Sequence, residues 1–188
     1  MSLQAKWDGI YTQREGEVTA ASVLLENQHL LPSKGRALDL ACGLGGNAKL
    51  LAKAGLDVDA WDVSQVAIKQ LQQEADLQKL NINAQVHDVI EKPPATNSYE
   101  VIVVSFFLER DLCEKLMSAL KPGGLLFYQT YCQDKVDQTG PQNPDYLLAD
   151  NELLRLFSSL KVRVYREEAL LGDHKQGFRN IAFLVAEK

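Results

Sequence analysis

Cysteine is scarce in this chain: Cys42, Cys113 and Cys132 are its only three, an odd number with no Cys-x-x-Cys pair among them. That excludes a disulfide framework and a cysteine zinc site and points to a reducing compartment. Apolar runs are short, and none approaches the roughly 20 residues that span a bilayer. The chain also opens without the charged-then-apolar pattern of a secretory leader, so a cytoplasmic protein with no membrane partner is expected. Positive charge is outnumbered, with 20 Lys and Arg against 25 Asp and Glu and a net charge of −5. A field of that sign repels nucleic acid and acidic membranes, and no nucleic-acid partner is expected.

Apolar residues, in contrast, make up 46% of the 188 positions, enough for one continuous core. A single domain over residues 1–188 is expected, with a helical cap at 1–33 and a core at 34–188. From Arg36 onward short apolar runs alternate with amphipathic stretches, the pattern of crossover units that pack helices on both faces of a parallel sheet. Strands are expected at 36–41, 56–62, 83–87, 100–104 and 125–130. Helices are expected at 47–54, after Ser64, at 111–120 and after Asp150, each with a capping residue or a breaker at its end. Lys121-Pro122-Gly123-Gly124 reads as a tight turn. The last two strands, 162–166 and 180–186, read as an antiparallel hairpin. The polar stretch from Cys132 to Tyr146 reads as a long functional loop. The fold class is therefore α/β, a Rossmann-like, mostly parallel seven-stranded sheet.

The most informative segment is Ala37-Leu-Asp-Leu-Ala-Cys-Gly-Leu-Gly-Gly-Asn, which runs from a strand through glycines into a helix. Gly43 and Gly45 leave room for close backbone approach to a ligand. The same spacing, with Asp62 beyond it, also satisfies the dinucleotide pattern. Charge separates the two readings. Asp39 is a carboxylate in an otherwise apolar strand and needs a cationic or hydrogen-bonding partner. The ammonium and sulfonium of S-adenosylmethionine supply one, whereas a nicotinamide dinucleotide brings an anionic pyrophosphate; the alternative is that Asp39 ties down the glycine loop through backbone N–H groups. Asp62 ends the second strand, placed to accept ribose hydroxyl protons. Asp88 ends the third, placed for the adenine amine, with the Val89 N–H beside it. Three acids at consecutive strand ends converge on one crevice.

With these residues the chain resembles the class I S-adenosylmethionine-dependent methyltransferases. Asp39, Gly43 and Gly45 match the family's first motif, Asp62 its second, Asp88 its third, and Leu120-Lys-Pro-Gly-Gly precedes the fifth strand as it does there. Ala41 departs from the pattern, standing where many members have a glycine. The Trp7-x-x-x-Tyr11 opening and Leu-Asp-Leu-Ala-Cys-Gly are similar, more narrowly, to small methyltransferases of the tellurite-resistance and thiol type. The resemblance implies S-adenosylmethionine as cofactor, S-adenosylhomocysteine as product and a small-molecule acceptor such as a thiol, a halide or a chalcogen oxyanion. A helix over residues 5–15 puts Trp7, Tyr11 and Arg14 on one face, the aromatics toward the sulfonium and Arg14 toward the methionyl carboxylate. Val63 beside Asp62, and Ser105 at the end of the fourth strand, complete the expected cofactor contacts. Phe106, Phe107, Tyr131, Cys132, His174 and Arg179 remain as groups placed to bind or orient an acceptor, and none is singled out as a catalytic base. No Asn-Pro-Pro-Tyr motif marks an amide or adenine N-methyltransferase. A monomer or homodimer is expected. A non-catalytic S-adenosylmethionine-binding module and an NAD(P)-dependent Rossmann oxidoreductase stay open as alternatives.

Overall fold

The computed structural model describes residues 2–14, 16 and 18–188. Two amino-terminal helices, α1 (Leu3–Thr12) and α2 (Ser22–Asn27), precede β1 (Arg36–Leu40), α3 (Gly46–Lys53), β2 (Asp57–Asp62), α4 (Gln65–Gln78), β3 (Ile82–Val86) and β4 (Tyr99–Ser105). Then follow α5 (Cys113–Ala119), β5 (Leu120–Tyr131), α6 (Glu152–Leu156), β6 (Lys161–Glu167) and β7 (Ile181–Glu187). The described residues form one seven-stranded sheet in the order β3-β2-β1-β4-β5-β7-β6. Strands β1 to β5 run parallel, and β7 inserts antiparallel between β5 and β6, as the expected hairpin requires. Strand order reverses at β1, whose neighbours β2 and β4 lead away in opposite directions. In open α/β sheets such a reversal places the ligand crevice beyond the carboxyl ends of the strands.

Both sheet faces are covered, which is why β4 reads as an uninterrupted apolar run. Its Val101 and Val103 pack with α2, α3 and α4 through Val23, Leu24, Leu51, Ile68 and Leu71. Ile102 and Val104 pack on the opposite face with Leu116 of α5, Leu153 of α6 and Phe157 just after it. Among the described residues no helix is long and apolar enough to cross a membrane.

Three expectations need correction. Residues 121–124 are a bulge rather than a turn: β5 already pairs Leu120 with Tyr99, then skips to Leu125 opposite Val101. Gly124 permits this because a Cβ there would lie 2.9 Å from the Lys121 carbonyl oxygen. Asp150 does not cap α6. Asn151 holds the cap position at φ 56° without a side-chain bond, and the Glu152 carboxylate takes the Ala149 N–H instead. The first helix is shorter than 5–15, starting from a Ser2 cap and ending at Thr12. Arg14 lies beyond it, and Glu15 falls outside the described residues.

The loop after β5 is clamped at both ends. Asn180 takes the Val136 N–H and donates to Asp137. Arg110 holds Glu152 through two nitrogens and donates to the carbonyls of Asp145 and Leu147. Arg110→Ala leaves the Glu152 carboxylate, 13% exposed, without its cation. We expect a loss of about 2 kcal/mol in urea unfolding, and a change below about 0.5 kcal/mol would show that the clamp carries nothing.

Candidate active site

At the carboxyl end of β1 the backbone turns through left-handed conformations at Ala41 (φ 53°), Gly43 (φ 51°) and Gly45 (φ 74°) before entering α3. The turn is closed by Gly45 N–H to the Cys42 carbonyl at 2.9 Å, and Cys42 N–H bonds the Trp61 carbonyl of β2 at 3.0 Å. The two glycines expected to face a ligand are crowded by protein as well. A Cβ on Gly43 would stand 2.7 Å from the Tyr11 hydroxyl oxygen, and one on Gly45 only 2.2 Å from the Leu71 Cδ1 of α4. Ala41, where the resemblance expects glycine, pays the steric cost of a left-handed residue with a Cβ. Ala41→Gly is therefore expected to raise stability by about 1 kcal/mol, read as an increase of a few degrees in Tm. An unchanged or lower Tm would contradict it.

Asp39 is fully buried, and its oxygens face the start of α3 rather than the open crevice. One accepts the Ala48 N–H at 2.9 Å, the other the Asn47 side-chain amide at 3.3 Å. Burial pushes its carboxyl up to about 7, and the Asn47 amide and Ala48 N–H oppose that rise. Asp39 thus has hydrogen-bonding partners within the protein, and through them it ties β1 to the start of α3 across the glycine loop.

Asn47 is a residue that the sequence reading missed. Its carbonyl oxygen accepts the Ala21 N–H at 2.8 Å, so its amide must point to Asp39 and to the Ser105 hydroxyl oxygen at 2.9 Å. One side chain thus joins β1, β4 and the entry to α2. The available signal was spacing: Asn47 and Leu51 share the buried stripe of α3, where an amide needs partners.

Asp62, 6% exposed, accepts the Gly43 N–H at 2.8 Å and the Ser64 N–H at 2.9 Å. Burial raises its carboxyl above the ordinary range, while these N–H groups and that of Val63 pull it down. Each oxygen keeps a further lone pair for a ligand hydroxyl. Ser64 caps α4 through the Ala67 N–H, and Asp8, also missed, grips that cap by accepting from the Ser64 hydroxyl at 2.6 Å and the Val66 N–H at 3.2 Å. These bonds hold the Asp8 carboxyl below its usual range. They seat α1 over the glycine loop, with the Trp7 and Tyr11 rings stacked at 5.8 Å. Burial, with Asp62 and Cys42 nearby, raises the Tyr11 phenol and keeps it neutral, while the Arg14 guanidinium pulls the other way on Tyr11 and on Tyr131.

At the tip of β3, one Asp88 oxygen accepts the Ile90 N–H at 2.9 Å; among the described residues its other oxygen accepts nothing. Val89 is buried and its side chain joins the core on the α5 side. Asp88 and Val89 share the sheet edge with Asp62 but have no side-chain bond to the glycine loop. Trp7 and Tyr11 pack with Leu44 of that loop, Asp62 bonds its Gly43 and the neighbouring Val63 N–H, and Asp39 and Ser105 meet at Asn47 just beyond it. Two acceptor candidates lie elsewhere in role: Arg179 donates to the carbonyls of Glu168, Ala169, Asp173 and Gln176, and His174 bonds the Leu170 carbonyl. Both hold the β6–β7 connection together. Cys132 is buried in the core.

Residues 5–177 match the family "Tellurite resistance protein TehB". The chain belongs to the TehB family. The match takes in every candidate cofactor residue and stops short of Arg179 and of β7. The chain is 32% identical over 111 residues to a ubiquinone biosynthesis O-methyltransferase of Coxiella burnetii, covering 56% of this chain and 47% of that protein. It is 29% identical over 140 residues to a probable S-adenosyl-L-methionine-dependent methyltransferase TehB of Haemophilus influenzae, covering 70% and 48%. The TehB-family chain thus spans about half the length of the curated relatives it matches. The crystal structure of TehB from Haemophilus influenzae superposes with a TM-score of 0.75 at 22% identity, covering 97% of this chain and 67% of that one. At that identity the likeness speaks for the fold, Rossmann-like with an antiparallel β5-β7-β6 end.

Proposed function

We propose that the chain transfers a methyl group from S-adenosylmethionine to a small-molecule acceptor: a thiol, a halide or a chalcogen oxyanion. The observation that carries this reading is Asp62, a nearly buried carboxylate that holds the Gly43 N–H at the lip of the β1–β2 crevice beneath an aromatic helix. Its spare lone pairs suit two ribose hydroxyls, which an adenosine presents side by side. The free oxygen of Asp88 suits the adenine amine, with the Val89 N–H beside it. Trp7 and Tyr11 offer π faces to a sulfonium, Arg14 a guanidinium to the methionyl carboxylate, and Ser105 a hydroxyl at the tip of β4. Asp39 and Asn47 act through the loop they hold. The names of the TehB and O-methyltransferase relatives point the same way.

The bound donor would supply an electrophilic methyl carbon on a good leaving group. The residues of this chain would exclude water and align the acceptor with that carbon. Between the tips of β4 and β5 stand Ser105, already bonded to Asn47, and Tyr131, whose phenol burial raises. Neither is a ready base at neutral pH, so the acceptor is one that needs none: a thiolate, a halide or an oxyanion. Incubation with methyl-labelled S-adenosylmethionine and a panel of thiols, halides, chalcogen oxyanions and amines tests this. Label should appear on members of the first three classes. Binding of the donor with no transfer to any of them would leave a binding module and defeat the proposal.

A further inference from the structure

Phe106 sits at the tip of β4 in a left-handed conformation (φ 57°), a costly arrangement for a bulky side chain, and the residue is 48% exposed. Neither strain nor exposure serves packing. The conformation is fixed from behind, since the Phe106 N–H bonds the Gln129 carbonyl of β5 at 2.8 Å. The Phe106 ring lies 4.9 Å from the Tyr131 ring at 38°. Tyr131 in turn is backed by the clamped loop after β5, for a Cβ on Gly140 would stand 2.7 Å from its ring carbons. The Gly140 backbone thus packs against one side of the Tyr131 ring. Phe106 and Tyr131 stand at the ends of β4 and β5, across β1 from the β2 and β3 strands that lead to Asp62 and Asp88, and an acceptor would lie beside these strand tips under the function proposed above.

We propose that Phe106 and Tyr131 form a fixed aromatic platform that determines acceptor specificity, favouring planar aromatic acceptors over saturated ones with the same reacting atom. This rests on the methyltransferase reading. Two aromatic rings a few ångströms apart present a negative face and a positive edge, to which a third aromatic ring is complementary; a saturated ring gains only area.

Phenylmethanethiol and cyclohexylmethanethiol carry the same thiol on the same methylene and differ in the ring alone. The platform predicts a kcat/KM at least about fivefold higher for the aromatic thiol. Phe106→Leu should bring that ratio close to one and Phe106→Tyr should restore it. The affinity for S-adenosylhomocysteine should stay within about twofold in both variants. The same comparison is made without turnover, by measuring binding of the two corresponding methyl sulfides to protein saturated with S-adenosylhomocysteine. If neither thiol is methylated, thiols fail as acceptors for the function proposed above, and the sulfide affinities decide the platform on their own. Equal values for the two rings, a ratio that survives Phe106→Leu, or a large loss of S-adenosylhomocysteine affinity in that variant would overturn the platform.

Discussion

Asp62→Ala is expected to weaken S-adenosylhomocysteine binding by about 100-fold or more. Two hydrogen bonds from ribose hydroxyls to a desolvated carboxylate contribute about 1.5–3 kcal/mol each, and the substitution removes both together. It also frees the Gly43 and Ser64 N–H groups, loosening the loop and the start of α4 that the carboxylate holds together. Calorimetry on the folded variant separates the two effects, because a loop merely loosened lowers Tm and leaves most of the affinity. A loss smaller than about fivefold would mean that Asp62 serves the loop alone.

The second large effect belongs to stability. Asp39→Ala strands the Ala48 N–H and the Asn47 amide in a site with no access to water, at a cost of about 3 kcal/mol. The ionised form of Asp39 also sets a pH dependence. Its carboxyl titrates at about 7 when folded, above the ordinary value, so the folded chain binds this proton more tightly than the unfolded chain does. The contribution of Asp39 to stability is therefore fully present in acid and declines as pH rises from about 4 to about 7, by at most about 1.4 kcal/mol per unit. Above that range it is flat. Asp62, raised in the same direction, adds to the slope. Glu100 and Glu152, both lowered, act oppositely at the acid end of the range. Urea unfolding between pH 5 and 8 should show the ligand-free protein losing stability toward neutrality, with much of that slope gone in Asp39→Asn. An identical slope in that variant would place the titration elsewhere.

Local chemistry was legible in the sequence where neighbours in the chain determine it. Ser64 does cap α4, the glycine run does join β1 to α3, and the apolar β4 is indeed buried on both faces. What the sequence leaves unread falls where a distant residue decides. The Asn47 amide that meets Asp39 is oriented by Ala21 and Ser105, far away along the chain. Asp8 bonds Ser64 across a comparable separation, and no spacing rule connects them. The Pro122-Gly123-Gly124 bulge reads as a turn until Tyr99 is known to pair with Leu120. Asp150 suits a cap by residue type, but Arg110 draws Glu152 into place and Glu152 takes the Ala149 N–H itself.

The account depends on the crevice beyond β1 and β2 accepting an adenosine-bearing sulfonium in preference to a dinucleotide. Titrating the protein separately with S-adenosylmethionine, S-adenosylhomocysteine and NAD in a calorimeter tests that directly. Saturable heat is expected from the first two, at one molecule per chain, and none from NAD at the same concentrations. Saturable heat from NAD alone would contradict it.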